Sequence, residues 1–351
     1  MQAVLHPDKP RRSAVTLLPK CFLILLFVCG PGLSRAAPWK FVAVADTHFN
    51  SYPAILPEIA AAAVSEEAKL VLVAGDLVDG GSALTTAELE AQLTNWRGAM
   101  APVYAAGIGV YPVRGNHVAA NPGSTAAWNN VFSGPYALPG NGPPGETGLT
   151  YSFTRNNAFF VGLDEHVPGQ GHRVNQAWLN QKLAGNVLPH VFVFGHEPAF
   201  KVFHTDCLGS FPDERNAFWT SLAAAGAKVY LCGHDHFFDL ARIDDGDGNT
   251  SDDLYQCIVG TGNERFYTDA KYDGVNSPYT PVGVFHEEQR SGYVLVEISG
   301  DGAGDLGVTM TWKERTYDPG TSTYKYVATS DALTYTAARR AAAVDCQWTL
   351  Y

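Results

Sequence analysis

The chain has 351 residues, of which 46% are hydrophobic, 24 are basic and 35 are acidic, with a formal net charge of −11. This length and apolar content provide for a packed core in one large domain or two small ones, and they exclude a disordered chain or a coiled coil. The acidic balance argues against a nucleic-acid-binding surface, because nucleic acids attract basic proteins.

The N-terminal segment 1–36 has the pattern of an export signal, with a buried core helix as the alternative. Basic residues precede an apolar run at 21–29, which is shorter than the roughly 20 residues of a membrane span. Ser34 and Ala36 are small residues that suit signal-peptidase cleavage after Ala36. We therefore expect a periplasmic or extracellular protein with a single domain at 37–351 and no membrane span in the mature chain.

Cleavage after residue 36 would make the chain more acidic. The segment 1–36 contains five basic residues and one acidic residue, so 19 basic and 34 acidic residues would remain, with a net charge of −15. A substrate that is an anion would then have to be attracted by bound metal.

Four cysteines lie beyond this segment, at Cys207, Cys232, Cys257 and Cys346. An even number in an exported protein permits two disulfides, in three possible connectivities. Buried free thiols are the alternative, above all for Cys232 and Cys257, because both lie in apolar, strand-like runs. The sequence does not choose between these two states.

From residue 39 onward, short β-rich runs alternate with helical stretches. The predicted strands are 41–45, 70–74, 109–113, 158–163, 191–194 and 229–231, and the predicted helices are about 54–67, 84–101, 175–183 and 214–225. The Gly-, Pro- and Asn-rich segment 121–148 is predicted to be a loop, and β hairpins are predicted from 236 to about 336. This alternation predicts an α/β fold in which helices cover a sheet.

Metal-capable side chains follow five of these strands at the point where each strand ends. The clusters are Asp46 with His48, Asp76 with Asp79, Asn116 with His117, His196 with Glu197, and His234 with Asp235 and His236. Ligands of open α/β sheets bind beyond the carboxyl ends of the strands, so we expect the five clusters to share one crevice. Most of these clusters are weak signals alone, because ordinary turns carry the same residues. Gly-His-Asp-His is a stronger signal, because its alternate histidines project the same way. Five clusters in succession indicate a metal site. Imidazole and carboxylate ligands favour Mn, Fe, Zn, Co or Ni over Cu(I).

Five motifs resemble those of the calcineurin-like metallophosphoesterase family. They are Asp46-Thr47-His48, Gly75-Asp76-Leu77-Val78-Asp79, Gly115-Asn116-His117, Gly195-His196 and Gly233-His234-Asp235-His236. They follow the family's order and span residues 46–236. The resemblance implies a four-layer α/β/β/α sandwich of two mixed β-sheets flanked by helices, with the β-rich C-terminal part completing the second sheet.

The same resemblance implies two metal ions, divalent or trivalent, and assigns their ligands. One ion would be held by Asp46, His48, Asp76 and His236, and the other by Asp76, Asn116, His196 and His234, so that Asp76 bridges them. His117 would be a catalytic residue that faces the phosphoryl group of the substrate. A hydroxide bridging the two ions would attack the phosphate ester.

The chain departs from the family pattern at two positions. Val118 follows Gly-Asn-His where many members have an acidic residue, so a carboxylate that orients His117 would have to come from elsewhere. Asp79 stands where purple acid phosphatases, a related branch, have a tyrosine ligand. We therefore do not expect a coloured iron–phenolate centre.

The sequence thus predicts an exported hydrolase that acts on small-molecule phosphomonoesters or small phosphodiesters. One alternative is a nucleotide or cyclic-nucleotide phosphodiesterase, in which Trp128, Phe132 and Phe211 are the candidates for stacking on a base. Another is a non-catalytic metal-binding protein on the same fold. Two candidate substrate contacts, Arg114 and His204, have as their alternatives a surface arginine and a solvated loop.

Overall fold

The computed structural model describes residues 37–300 and 306–337, so the predicted export signal and Cys346 lie outside the described residues. The strands are β1 (Trp39–Val44), β2 (Leu70–Val73), β3 (Gly109–Pro112), β4 (Tyr151–Arg155), β5 (Ala158–Gly162), β6 (His190–Phe194), β7 (Val229–Cys232), β8 (Phe238–Asp244), β9 (Leu254–Val259), β10 (Thr280–Glu287), β11 (Gly292–Ile298), β12 (Gly307–Asp318) and β13 (Thr323–Thr336). The helices are α1 (Ile55–Ser65), α2 (Thr86–Ala99), α3 (Ala101–Ala105), α4 (Asn116–Ala119), α5 (Ser124–Val131), α6 (Gln176–Ala184) and α7 (Pro212–Ala224). Within these residues, no helix is long and apolar enough to cross a membrane.

The strands form two mixed sheets, as predicted. The first has the order β13-β12-β11-β1-β2-β3, and the second has the order β10-β8-β9-β7-β6-β5-β4. β1, β2 and β3 are parallel to one another, as are β5, β6, β7 and β9. The carboxyl ends of the parallel strands of each sheet therefore lie at one edge, where the predicted metal ligands follow them.

The C-terminal strands are divided between the two sheets, whereas we expected them to complete the second. β8, β9 and β10 belong to the second sheet, but β11, β12 and β13 extend the first. β11 lies antiparallel to β1, from the pair Trp39 and Ile298 to the pair Ala43 and Val294. An apolar pattern identifies a strand that is buried on both faces, but it does not identify the strand's partner.

Alternation of side chains along each strand produces the four layers. Phe41 and Ala43 of β1 face the second sheet, whereas Val42 and Val44 pack against the helices. The ring of Phe41 lies 5.0 Å from that of Phe192 across the core between the sheets. Helices α1, α2 and α5 cover the first sheet, and α6 and α7 cover the second. The predicted α/β/β/α sandwich is confirmed.

Helix α5 lies within the segment 121–148, which was predicted to be a loop. Trp128 is fully buried, and its Nε1 donates a 3.0 Å hydrogen bond to the carbonyl oxygen of Gly148. Phe132, directly after the helix, packs against Trp128 with the two ring centres 4.4 Å apart. The helix is only two turns long, and the Gly, Pro and Asn residues around it hide its periodicity in the sequence.

Three of the four cysteines outside segment 1–36 are buried free thiols, at Cys207, Cys232 and Cys257. Burial raises the pKa of the Cys207 thiol to about 12. Cys232 and Cys257 are thus buried free thiols, the alternative that their apolar, strand-like surroundings in the sequence favoured.

Candidate metal centre

The predicted ligands leave strands of both sheets and meet at one place. Asp46, Asp76 and Asn116 follow β1, β2 and β3 of the first sheet, while His196 and His234 follow β6 and β7 of the second. The six histidine and aspartate ligands are at most 4% exposed, namely Asp46, His48, Asp76, His196, His234 and His236. Buried carboxylates and imidazoles are costly unless they are paired or bind a metal ion.

One group of ligand atoms is formed by Asp46, His48 and His236, whose donor atoms all lie within 4.8 Å of one another. The two imidazole Nε2 atoms are 3.2 Å apart. Nε2 of His236 lies 3.6 Å from Oδ1 of Asp46, and Nε2 of His48 lies 3.8 Å from Oδ2 of Asp76. The family resemblance implied these four residues as ligands of the first ion, and the structure brings them together.

The second group contains His196, Asp76, Asn116 and His234. Nε2 of His196 lies 3.3 Å from Oδ2 of Asp76 and 3.0 Å from Oδ1 of Asn116. The rings of His196 and His234 are 5.1 Å apart. Oδ2 of Asp76 therefore borders both groups, which is the position that a bridging carboxylate requires.

The hydrogen bonds around the ligands fit two metal ions. Nδ1 of His196 donates to the carbonyl oxygen of Ala74 at 2.9 Å, and Nδ1 of His236 donates to that of Arg265 at 2.8 Å. Metal-bound histidines are held by such bonds, which leave Nε2 as the ligand atom. Oδ1 of Asp46 is buried without a hydrogen-bond partner among the described residues. The donor set of imidazole, carboxylate and amide groups therefore suits Zn, Fe, Mn, Co or Ni.

The backbone is strained at four of the ligands. The φ angles are +55° at Asp46, +35° at His48, +46° at Asp76 and +72° at His234. A non-glycine residue in this left-handed region costs on the order of 1–3 kcal/mol, and such residues cluster at functional sites. The fold thus holds these four side chains in place at the expense of local backbone energy.

The charges within the site compete for protons. Burial raises the pKa of Asp46 to about 7. Burial opposes the charged form of His196 as well, but the carboxylates of Asp76 and Asp46 outweigh it and raise its pKa to about 10. Burial, with the neighbouring His48, lowers the pKa of His236 to about 3. Metal binding requires neutral imidazoles and ionised carboxylates, so uptake of metal would release protons.

His117 lies at the N-terminus of α4, beside the first group. Its ring is 4.7 Å from that of His48, and its backbone N–H donates to Oδ1 of Asp76 at 3.1 Å. Nδ1 of His117 donates to the backbone carbonyl oxygen of Asp79 at 2.7 Å. Val118 is fully buried among the helices and cannot contribute to the site. The group that orients His117 is therefore a main-chain carbonyl rather than a carboxylate.

Arg114 lies inside the protein, contrary to the alternative of a surface arginine. It is 1% exposed, and its Nε donates to Oδ2 of Asp164 at 2.6 Å. Further bonds run to the hydroxyls of Ser124 and Thr125. The guanidinium follows β3 and precedes a ligand in sequence, but it ties α5 to the second sheet's Asp164 loop. The structure thus gives no support to a substrate contact through Arg114.

His204 lies against the second group instead of on a free solvated loop. Its ring is 4.4 Å from that of His234, and its Nδ1 donates to Oδ1 of Asp235 at 2.6 Å. The same carboxylate accepts the backbone N–H of Phe203 and of His204. Asp206, on the same loop, places Oδ1 at 3.5 Å from Nε2 of His234.

The aromatic candidates for base stacking lie away from the ligands. Trp128 is fully buried, and Phe132 is only 6% exposed. Phe211 packs under the guanidinium of Arg173 at 3.8 Å. Trp178, a residue of α6, is 8% exposed and also belongs to the core. Among the described residues, none of the three candidate rings is in ring contact with a ligand histidine.

Sequence reasoning missed the loop after β9. Nδ2 of Asn263 donates to the carbonyl oxygen of Asp46 at 2.7 Å, and the Tyr267 ring stacks at 4.6 Å on His236. The segment 260–263, Gly-Thr-Gly-Asn, directly follows a buried strand, as the five recognised clusters do. The same strand-end rule would have identified this loop, although it contains no typical metal ligand.

Comparison with known proteins gives an independent assignment. Residues 40–238 match the model of a family described as calcineurin-like phosphoesterase. A search of curated proteins found no match.

Several solved structures share the fold. A purple acid phosphatase, PPD1, from yellow lupin (Lupinus luteus) seeds is 14% identical, with a TM-score of 0.57 over 86% of this chain and 54% of that chain. PhoD is 12% identical, with a TM-score of 0.59 over 88% and 72%. A dimetal phosphatase from Danio rerio is 14% identical, with a TM-score of 0.50 over 83% and 99%. The chain therefore spans about half the length of the lupin protein, and these likenesses concern the fold alone.

Proposed function

Because the chain belongs to the calcineurin-like phosphoesterase family, we propose that it is a dinuclear metal-dependent hydrolase of small-molecule phosphomonoesters or small phosphodiesters. One observation carries the proposal: Oδ2 of Asp76 lies 3.8 Å from Nε2 of His48 and 3.3 Å from Nε2 of His196. A single carboxylate between two groups of ligands is the arrangement that two-metal hydrolysis requires.

We propose the division of ligands that the family resemblance implies. Asp46, His48, Asp76 and His236 would hold one ion, and Asp76, Asn116, His196 and His234 would hold the other. Bound there, two ions supply positive charge to the phosphoryl oxygens and lower the pKa of a coordinated water. An acidic chain can thereby accept an anionic substrate.

His117 is the residue placed to handle the proton of the leaving group. Its Nδ1 is committed to the carbonyl oxygen of Asp79, so Nε2 is the atom that can face the substrate. In the imidazolium form, Nε2 donates a proton to the leaving alkoxide, and in the neutral form it accepts a hydrogen bond. The bond to Asp79 fixes the ring plane in both forms.

The test is hydrolysis of p-nitrophenyl phosphate and bis(p-nitrophenyl) phosphate by purified protein. Metal-stripped protein would be compared with samples reloaded with Mn, Fe, Zn, Co or Ni, and Asp76→Asn would serve as the site variant. We expect metal-dependent turnover that this variant abolishes, and the ratio of the two activities gives the ester class. Folded, metal-loaded protein without turnover on any ester would favour the non-catalytic alternative.

The nucleotide phosphodiesterase alternative loses the residues on which it depended. Trp128 and Phe132 are core residues, and Phe211 packs against Arg173. Base stacking would need a ring with a free face above the metal ligands. We therefore keep the broader class of small phosphate esters as the proposal.

Export to the periplasm or the extracellular space is a separate proposal. It is supported by the basic lead-in, the apolar run 21–29 and the small residues Ser34 and Ala36. Mass spectrometry of protein expressed from the full-length gene tests it, and we expect a mature N-terminus at Ala37. A cell-associated protein that retains residues 1–36 would contradict the proposal.

A further inference from the structure

An exposed arginine lies on the loop that follows β9, beside a metal ligand. The guanidinium of Arg265 lies 5.5 Å from the centre of the Tyr267 ring. Its neighbour Glu264 pairs at 2.8 Å with Arg315 instead. In the part of the chain that the structure describes, no carboxylate forms an ion pair with Arg265. The guanidinium of Arg265 is therefore available to a bound anion.

The backbone of Arg265 is fixed to two metal ligands. Its N–H donates to Oδ1 of Asn263 at 2.7 Å, and Nδ2 of Asn263 donates at 2.7 Å to the carbonyl oxygen of Asp46. The carbonyl oxygen of Arg265 accepts Nδ1–H of His236 at 2.8 Å. The position of this residue is therefore coupled to the metal centre, although its side chain reaches solvent.

Tyr267 gives the loop a rigid platform. Its ring stacks on His236 at 4.6 Å with an interplanar angle of 23°, and on Phe203 at 4.7 Å with an angle of 1°. The ring is half-buried, and its hydroxyl has no hydrogen-bond partner among residues 37–300 and 306–337. The platform thus presents a hydroxyl donor and a guanidinium at the rim of the centre.

Together these groups have the chemistry of an anion site. A guanidinium binds carboxylate or phosphate through parallel hydrogen bonds, and a phenol adds a further donor. The Tyr267 ring stacks on His236, and the guanidinium lies 5.5 Å from the centre of that ring. We therefore assign the anion bound here to a second group of the substrate, apart from the phosphoryl group at the metal ligands. We propose that Arg265 and Tyr267 form a subsite for a second anionic group, a carboxylate or a phosphate on the alcohol part of the ester. The subsite rests on the proposed function, whose substrate class it narrows.

The test uses two compounds that differ by one carboxylate, glycerol 3-phosphate and 3-phosphoglycerate. Each compound would be measured as an inhibitor of p-nitrophenyl phosphate hydrolysis. This gives an inhibition constant for each compound, whether or not the compound is itself hydrolysed. We expect wild-type protein to bind 3-phosphoglycerate about 10–100-fold more tightly, as one charge-assisted contact implies. In Arg265→Gln the two constants should become nearly equal, whereas Arg265→Lys should keep part of the difference and Tyr267→Phe most of it.

Arg155→Gln is the matched control. Arg155 is exposed and outside any ion pair of the described chain, but it ends β4 at the opposite end of the second sheet from the ligands. The control should retain the wild-type ratio, and metal content measured by mass spectrometry should be the same in all variants. Equal constants in wild-type protein, or an unchanged ratio in Arg265→Gln, would overturn the subsite.

Failure of the proposed function would look different. Wild-type protein would then hydrolyse neither p-nitrophenyl phosphate nor its diester with any metal. Isothermal titration calorimetry with metal-loaded protein would still measure the dissociation constants of the two compounds in that case, and hence their ratio. A ratio that depends on Arg265 supports the subsite, and a ratio near one overturns it.

Discussion

Nδ1 of His117 donates a 2.7 Å hydrogen bond to the backbone carbonyl oxygen of Asp79, while the side chain of that aspartate turns toward His48, with Oδ1 at 3.5 Å from Nδ1. One residue thus serves two histidines, through different atoms. Because a side-chain substitution leaves the carbonyl in place, the two roles can be separated by mutation.

His117→Gln should lower kcat by about 100-fold or more, since general acid–base groups contribute on that order. Its metal content should remain that of wild type, because His117 is not among the assigned ligands. Asp79→Asn retains the carbonyl acceptor, so its kcat should fall by less than about 10-fold. Steady-state kinetics and metal analysis of both variants check this, and equal losses of kcat would contradict the proposed division of roles.

Asp206→Asn should weaken metal binding, because Oδ1 of Asp206 faces Nε2 of the ligand His234 at 3.5 Å. Carboxylates that orient metal-bound histidines typically contribute 10–100-fold to affinity, so a loss of about that size is expected. Competition with a chelator measures it. Asp213→Asn, an exposed aspartate in the first turn of α7, is the control and should bind metal as wild type does.

Gly75→Ala should destabilise the protein and remove metal. A Cβ at Gly75, where φ is +89°, would lie 2.2 Å from Nδ1 of His196. Gly107→Ala shares the positive φ, at +71°, but its Cβ would meet no atom within 4 Å. The control should therefore lose only the backbone term, roughly 1 kcal/mol of unfolding free energy, and keep its metal. Similar metal content in both variants would contradict the predicted displacement of His196.

Arg114→Gln should act on stability, because the Arg114–Asp164 ion pair is buried on both sides. Removal of one partner of such a pair costs about 3–5 kcal/mol of unfolding free energy. Urea unfolding of wild type and variant measures the loss. A rise in KM without a loss of stability would restore the substrate-contact role that the sequence suggested.

His190 should make the protein sensitive to acid. It is 1% exposed with both ring nitrogens lacking partners in the described chain, and burial lowers its pKa from 6.5 to about 4. Below pH 6.5 the unfolded state binds a proton that the folded state refuses, so stability falls between pH 6.5 and 4 and then levels off. This window corresponds to about 3 kcal/mol at most. His190→Leu should remove that part of the pH dependence in urea unfolding, and an unchanged slope would contradict it.

The sequence predicted that the candidate ligands lie together at the strand ends, but it did not predict the order of the strands. Gly115-Asn116-His117 and Gly233-His234-Asp235-His236 were informative because short motifs at strand ends fix both residue type and position. The pairing of β11 with β1 was not predictable, since any apolar strand satisfies the same pattern. The fate of Arg114 depended on Asp164, fifty residues away, whose approach requires the second sheet to be in place.

The partner of His117 was beyond prediction for a different reason. A backbone carbonyl is present in every residue, so the sequence does not indicate which carbonyl contacts His117. At residue 79 the sequence indicated only the side-chain carboxylate. The left-handed backbone at Asp46 and Asp76 is invisible for the same reason. Patterns of residue types reveal which side chains are available, whereas the main-chain path decides which of them meet.

The division of the ligands between the two sheets has a mechanical consequence. Asp46 and Asp76 belong to one sheet, His196 and His234 to the other, and aromatic rings such as Phe41 and Phe192 fill the space between. Any shift of one sheet relative to the other would change the separation of the ligand atoms. Two bound ions would therefore cross-link the two sheets, and substitutions among the aromatic rings between the sheets would alter metal affinity from a distance.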